Sequence, residues 1–383
     1  ASPVTVFGPG ALAGSGSISQ PVTLNAGNAG ILLTNNAGAT LSLSGGLTLS
    51  NANVLAFDIG TTSTSDQIAV GGTFAQTGTA TIYLSQIAGF GAGTYNLITG
   101  ASGISAANFT LGTTISGYTL SLSNPDSSTL ALTVTVAAPS SAFWHNRSGT
   151  AWTTANNWDT DASGNVALST PPAVPTDVTF AANAASSYNT TLGADFSIHS
   201  LTLSTPNNVT IGGANTLTIS AGINNSGANN TINTKVALGT DQTWVNSSPG
   251  PLIVNSNISG AYGLTINDKG NGIVLNGVNT YAGGTVLTAG KLVLGNATDT
   301  LADTGSVLVD NSSTLALGGN SDTVGPVTVG TGSITGAGGT LSASAFAFTN
   351  ATVTANLAGS GAPLSVDGNG TTTLTGTNSF TGS

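Results

Sequence analysis

The sequence predicts an all-β chain coiled into a parallel solenoid. Three observations carry this: charged helix formers are nearly absent, short alternating strands are separated by Gly and Asn, and a long-period repeat is present. Of 383 residues only 4 are Lys or Arg and 14 are Asp or Glu, and every acid is Asp. Charged residues make up 5%, against about 25% in an average soluble domain. Apart from Ala and Leu, the good helix formers are scarce. Thr, Ser, Asn, Gly and Val replace them. Branching at Cβ suits Thr and Val to a pleated strand. Gly and Asn suit turns because they tolerate positive φ.

Taken in chain order, residues 40–49 (TLSLSGGLTL) supply two alternating runs about a Gly45-Gly46 turn. The run LALTVTV at 130–136 precedes AAPSSA at 137–142, a small, Pro-containing segment that reads as a linker. It separates an N-terminal β block, 1–136, from a second block, 143–383. The N-terminal block reads either as a smaller β-sandwich-like block or as further solenoid. In the second block, 201–204 (LTLS), 217–220 (LTIS), Lys291–Leu294 (KLVL), Val307–Val309 and 314–317 (TLAL) continue the pattern. Asn271-Gly272, Asn276-Gly277 and Asn369-Gly370 punctuate it as turns. These turns lack the charges a sandwich exposes, which favours the solenoid.

The repeat is explicit. LTGTNSFTGS at 374–383 matches LNGVNTYAGG at 275–284, 99 positions earlier. Ile258-Ser259-Gly260 likewise corresponds to Leu357-Ala358-Gly359, and LTIND at 264–268 to LSVD at 364–367. At roughly 20 residues per rung, this period spans several rungs. The first copy runs on into TVLTAGKLVLGN, whereas the second has no such continuation after 383. Residues 1–12 (ASPVTVFGPGAL) resemble the missing strand. The expectation is head-to-tail self-association, in which Pro3, Val4, Val6 and Phe7 complete or stack on the rung of Leu374 and Phe380 in a neighbour. A heterologous contact of this kind propagates into a filament. Covalent continuation within a longer polypeptide is the plainer alternative.

The residues also carry a family resemblance. DQTW at 241–244, ISG at 258–260 and LNGVNTYAGGTVLTAGKLVLGN at 275–296 resemble the passenger-associated repeat of bacterial autotransporters. The match covers about 238–296 and again 357–383. SDQIAVGGTF (65–74) and GFGAGTYNLIT (89–99) are similar to the segment that closes a passenger array. FWHNRSGTAWTTANNWDTDASG (143–164), PTDVTF (175–180) and TLGADFSIHSLTL (191–203) resemble the opening of one. The resemblance implies a right-handed parallel β-helix secreted to the bacterial cell surface, with an end of array, a linker and a start of array in that order.

Composition excludes several classes. A net charge of −10 leaves no basic patch for nucleic acid. No apolar run approaches the ~18 residues of a membrane helix, so no membrane insertion is expected and the positive mean hydropathy reflects alternating strands. With no Cys there is no disulfide or thiol redox chemistry. That suits a cytosolic protein and equally a chain that crosses a periplasm unfolded. Ala1-Ser2-Pro3 reads as a mature N-terminus after leader cleavage.

Catalytic material is sparse. Asp195, His199 and Ser200 lie close in sequence, as a Ser-His-Asp set would, but strand neighbours 199 and 200 should face opposite ways. The polysaccharide-degrading enzymes built on β-helices need clustered acids with a Lys or Arg. Here the acids are scattered, and Asp268-Lys269 aligns with Asp367, which no Lys follows. Residues 159–165 (DTDASGN) match the start of an EF-hand-type loop, with Asp159, Asp161 and Ser163 as Ca²⁺ ligands. The twelfth position is Thr170 instead of Glu, so an Asx-type turn is the competing reading. Phe143, Trp144, Trp152 and Trp158 form an aromatic cluster, read either as a sugar-stacking platform or as a cap on an exposed rung. Sequons at Asn108, Asn146, Asn208, Asn257, Asn311 and Asn350 are as frequent as this composition gives by chance. Asn and Thr repeated rung on rung suit hydrogen-bonded ladders.

The leading expectation is a non-enzymatic extracellular structural protein, a β-solenoid subunit of a bacterial surface fibre that needs no cofactor. The rivals are an adhesin binding surface glycans through Trp144, Trp152 and Trp158, and a β-helical polysaccharide-degrading enzyme.

Overall fold

The structure, a computed structural model, describes residues 2–382 apart from 36, 183, 184 and 369. The expected Asn369-Gly370 turn therefore lies partly outside the described residues. The fold is a parallel β-solenoid of about 17 turns with 45% of residues in strands. The chain divides into two compact units, Ala1–Ala137 and Ala138–Ser383.

The first unit is a solenoid and not a sandwich. Its first coil consists of the strands Val4–Val6, Ala11–Ala13 and Gly16–Ile18, one on each of three sheets. The next coil lays Val22–Leu24, Gly30–Leu32 and Thr40–Leu43 parallel to these, in register. Leu24, Ile31 and Leu43 are thereby sealed inside. Only the far end turns antiparallel. There Gly93–Thr99 pairs with Thr129–Val136, which in turn pairs with Tyr118–Ser123.

The second unit repeats the scheme. Leu264 is paired with Thr285, which is followed in the same column by Val307, Val327, Phe346 and Leu364. Five turns thus separate Leu264 from Leu364, so the 99-residue sequence repeat is five coils. Alternation explains the core: in strands such as Leu252–Val254 and Ile273–Leu275 the outer residues point inward and are buried, and the middle one faces out. Coils about 4.8 Å apart then stack like on like.

The motif residues have defined work in both copies. Asn257 accepts from the Val278 N–H and Asn356 from the Thr377 N–H. Asn279 accepts from the Ile258 N–H and Asn378 from the Leu357 N–H. Each asparagine ties one coil to its neighbour. Gly260 and Gly359 both take positive φ, +126° and +155°. A Cβ at either would lie within 2.7 Å of a carbonyl oxygen on the adjacent coil, so both must be glycine.

Ladders of the expected kind run along two corners. Inside, Asn230 donates to Asn225, Asn225 to Asn246 at 2.8 Å, and Asn246 to Asp268 at 2.9 Å. The ladder ends where Asp268 accepts from the N–H groups of Gly270, Gly272 and Lys291. Outside, Asn276 donates to Asn255 and Asn255 to Asn233. Asn246→Ala should cost about 1–3 kcal/mol, because it leaves buried partners unsatisfied. Asn255→Ala should stay within about 0.5 kcal/mol, because water replaces it. Urea denaturation midpoints of the two variants check the contrast.

Candidate functional site

The second unit opens with an antiparallel hairpin. Ser141–Trp144 runs parallel to Asp177–Phe180 on one side and antiparallel to Trp158–Asp159 on the other. This reversal ends the parallel ladder. Beneath it Trp144, Trp152 and Trp158 are all 0% exposed, and Phe143 is half-buried. Trp158 meets Trp144 and Trp152 edge-on at 4.9 and 5.0 Å, and Phe180 and Phe196 complete the plug. Each indole N–H is satisfied: Trp144 by the Ser187 carbonyl, Trp152 by the Thr190 hydroxyl and Trp158 by the Trp152 carbonyl. None of the three rings offers a face for stacking on a sugar.

A charged staple, which sequence reasoning did not find, holds the hairpin. Arg147 donates to Oδ1 of the buried Asp159 from Nε at 3.2 Å and Nη2 at 2.6 Å, and also to the Gly164 carbonyl. Nδ1 of His145 lies 2.7 Å from Oδ2 of Asp159 but out of line for a hydrogen bond. Gly164, at φ +71°, lies so close to His145 that a Cβ would approach Nδ1 to 2.2 Å. The proposed Ca²⁺ set is not assembled. Asp159 points inward to Arg147 and His145, while the exposed Asp161 accepts from the Ser163 N–H and hydroxyl as an Asx turn. Those donors hold the Asp161 carboxyl below its usual range.

Asp195, His199 and Ser200 form no triad either, though for a different reason from the one expected. A bulge between Ile198 and Ser200 breaks the alternation, and His199 and Ser200 reach the same acceptor. That acceptor is Oδ1 of Asp177, 2.7 Å from His199 Nδ1 and 2.5 Å from Ser200 Oγ. Partial burial pushes the Asp177 carboxyl up, but the two donors together outweigh it and lower it. Asp195 instead accepts from the Thr216 N–H. The hydroxyl therefore points at the carboxylate and not at the imidazole, and the relay a nucleophilic serine needs is missing. The bulge borders an open groove of about 390 Å³ on the outer face, lined by Ser200, Thr202, Gly222, Asn224 and Thr243 among others.

In the first coil of the first unit and the last coil of the second, the inward side chains are less buried. In the first unit Val4, Val6, Leu12 and Ile18 point into the core but are only half-buried; Pro3 is exposed and Phe7 is 67% exposed. In the second, Leu364, Leu374 and Phe380 are half-buried. Val366 sits over the buried Phe348 yet is 53% exposed. Phe380 packs on Phe346 at 5.7 Å. The fold is a parallel β-solenoid in which each unit has one end closed by an antiparallel strand. No known protein family, curated protein or solved structure matches the chain.

One buried acid is electrostatically unusual. Asp322, 2% exposed, accepts from the N–H groups of Thr300, Leu301 and Thr323. Burial outweighs those donors, Asp299 adds repulsion, and its pKa is pushed up to about 6. Asp66 is raised as well, again chiefly by burial. Between the ordinary carboxyl pKa and about 6, Asp322 binds its proton in the folded chain but not in the unfolded one, so this group adds stability as pH falls through the window. On going from pH 7 to pH 4.5 the thermal midpoint of the wild type should gain relative to that of Asp322→Asn; calorimetry across that range checks it. Arg147→Ala should cost about 3 kcal/mol by leaving Asp159 buried without its cation. Denaturant titration, with the tryptophan emission shifting to the red as the plug loosens, checks this.

Proposed function

We propose that this chain is a non-enzymatic structural protein, a β-solenoid subunit that associates head to tail in an extracellular fibre on a bacterial surface. One observation carries the reading: polar side chains are spent within the stack, where asparagines and aspartates of one coil clamp backbone N–H groups of the next. Each coil satisfies its backbone on the coil beside it, and head-to-tail association would continue that contact between copies. A kinship with autotransporter passengers rests on the repeat motifs at 241–296 and 357–382, whose asparagines and glycines recur in the same structural places.

The acids support a structural role. Asp195, Asp241, Asp268, Asp310 and Asp322 each accept from backbone N–H groups across adjacent coils. They act as clamps and do not converge on a groove. Glycan binding through Trp144, Trp152 and Trp158 has no exposed ring to use.

The test is the state of the purified chain. Light scattering and negative-stain microscopy should show concentration-dependent filaments. Val366→Asp places a charge at an exposed inward position without disturbing a buried site, and should leave the circular dichroism intact while abolishing filaments. A wild-type chain that stays monomeric at high concentration overturns the reading.

A further inference from the structure

We propose that the chain pairs with a second copy of itself along an internal edge strand. Tyr118–Ser123 of one copy lies antiparallel to Tyr118–Ser123 of the other, with Ser121 opposite Ser121. This goes beyond the head-to-tail reading and does not rest on it. In the first unit the reversal of direction stops the parallel coils, but its last strand, Tyr118–Ser123, is paired on one side alone. At six residues it is the longest strand that ends a sheet; among the described residues the others run for two to four. Proteins guard such edges with Lys, Pro, bulges or short strands. This one reads YTLSLS, without charge or proline, and pairs with Thr129–Val136 without a bulge.

Backbone bonds at both ends of Thr129–Val136 fix which groups of the edge strand are free. The Ala137 N–H bonds to the Gly117 carbonyl, toward the edge strand, and the Ser128 carbonyl accepts from Gly100, toward Gly93–Thr99. Alternate residues of an antiparallel strand serve opposite neighbours. Ala131, Thr133 and Thr135 therefore serve the edge strand, and Leu130, Leu132 and Val134 serve the inner one. Leu120 and Leu122 lie opposite Val134 and Leu132, so their N–H and C=O groups point to the open edge. The Tyr118 N–H turns back to the Ile115 carbonyl, as this phase requires.

These free groups are their own complement, which is why the occupant is a second copy. With Ser121 at the centre, the Leu120 N–H donates to the Leu122 carbonyl of the second copy, and that copy's Leu122 N–H returns to the Leu120 carbonyl. Symmetry repeats both bonds, and every free group of the two leucines is used. Centring on Leu120 instead would set the Leu122 carbonyl against the Tyr118 N–H, which Ile115 already holds. Centring on Leu122 would pair Leu120 with Asn124, where the chain leaves the strand before Pro125. A one-residue slip would turn the leucines outward. The side chains agree. Leu120 and Leu122 are half-buried against the core beside Tyr118 and Phe90, while Thr119, Ser121 and Ser123 are exposed. Pairing lays leucine beside leucine on the inner face and hydroxyl beside hydroxyl on the outer one. The contact is isologous, so it closes at two copies.

Two experiments on the full chain test this. The chain has no Cys, so Ser121→Cys should give a disulfide-linked dimer under mild oxidation. Opposite residues of a non-hydrogen-bonded pair have Cα atoms about 4.5 Å apart, within disulfide range. Thr119→Cys and Ser123→Cys should each link little alone and link to each other when mixed. Ser85→Cys, exposed on another sheet, sets the level of chance collision. Ser121→Lys and Ser121→Asp should each weaken the dimer at least about tenfold, because like charges then face each other. An equimolar mixture of the two should recover it, read by sedimentation at concentrations too low for filaments. A Ser121→Cys chain that links no faster than Ser85→Cys overturns the proposal. So does Thr119→Cys linking to itself as readily as to Ser123→Cys, or a charge mixture no tighter than its parts. Filaments without the Ser121 link overturn this contact and leave the head-to-tail reading; the link without filaments does the reverse.

Discussion

Parallel pairing of coil on coil is the constraint on which everything else depends. Each strand satisfies its backbone only through the strand above and the strand below. A coil is therefore never complete by itself, and the ladder must be terminated by some device. Both units use the same device at one end, a strand that reverses direction. At Trp158–Asp159 the reversal lies over three tryptophans and is held by Arg147 on Asp159. A charged pair suits this place because the hairpin has few backbone bonds of its own. A guanidinium that donates twice fixes geometry that a methyl group cannot.

The same constraint accounts for the polar residues. With so few charges, the chain stabilises its corners by amides and carboxylates that reach one coil along. Asn225, Asn246 and Asp268 form a line because equivalent positions on successive coils coincide. Asn257, Asn279, Asn356 and Asn378 clamp backbone N–H groups in the same manner. Burying such groups is tolerable only because every coil offers a partner at the same height. Asp322 shows the cost where the match is imperfect. Three N–H donors surround it, yet burial and Asp299 still push its carboxyl up.

Much of the fold was legible in the sequence. The alternating runs and the repeat point directly to inward columns such as Leu264 to Leu364, because a two-residue side-chain period reads off one face of a strand. The aromatic cluster was also legible as a group, but its exposure was not. Whether three indoles form a platform or a plug depends on what lies over them, and the covering hairpin comes from residues on both sides of the cluster. The Ca²⁺ ligand set failed for a similar reason. Spacing matched Asp159, Asp161 and Ser163 to a loop, but Arg147 and His145, just after the strand that pairs with Trp158–Asp159, engage Asp159.

By itself the sequence determined the strand class and the stacking of like on like, since each follows from local alternation and periodic spacing; that the 99-residue period is five coils came from the structure. Only the tertiary structure decided which groups meet across coils. The bulge at Ile198 and Ser200 brought His199 and Ser200 to one carboxylate, against the alternation their positions imply. Asp177 was chosen as that carboxylate because the coil below placed it opposite Ser200. Contacts some twenty residues apart depend on how each corner loop adjusts the register. Loop geometry is set by the coils on either side, which no short stretch of sequence contains.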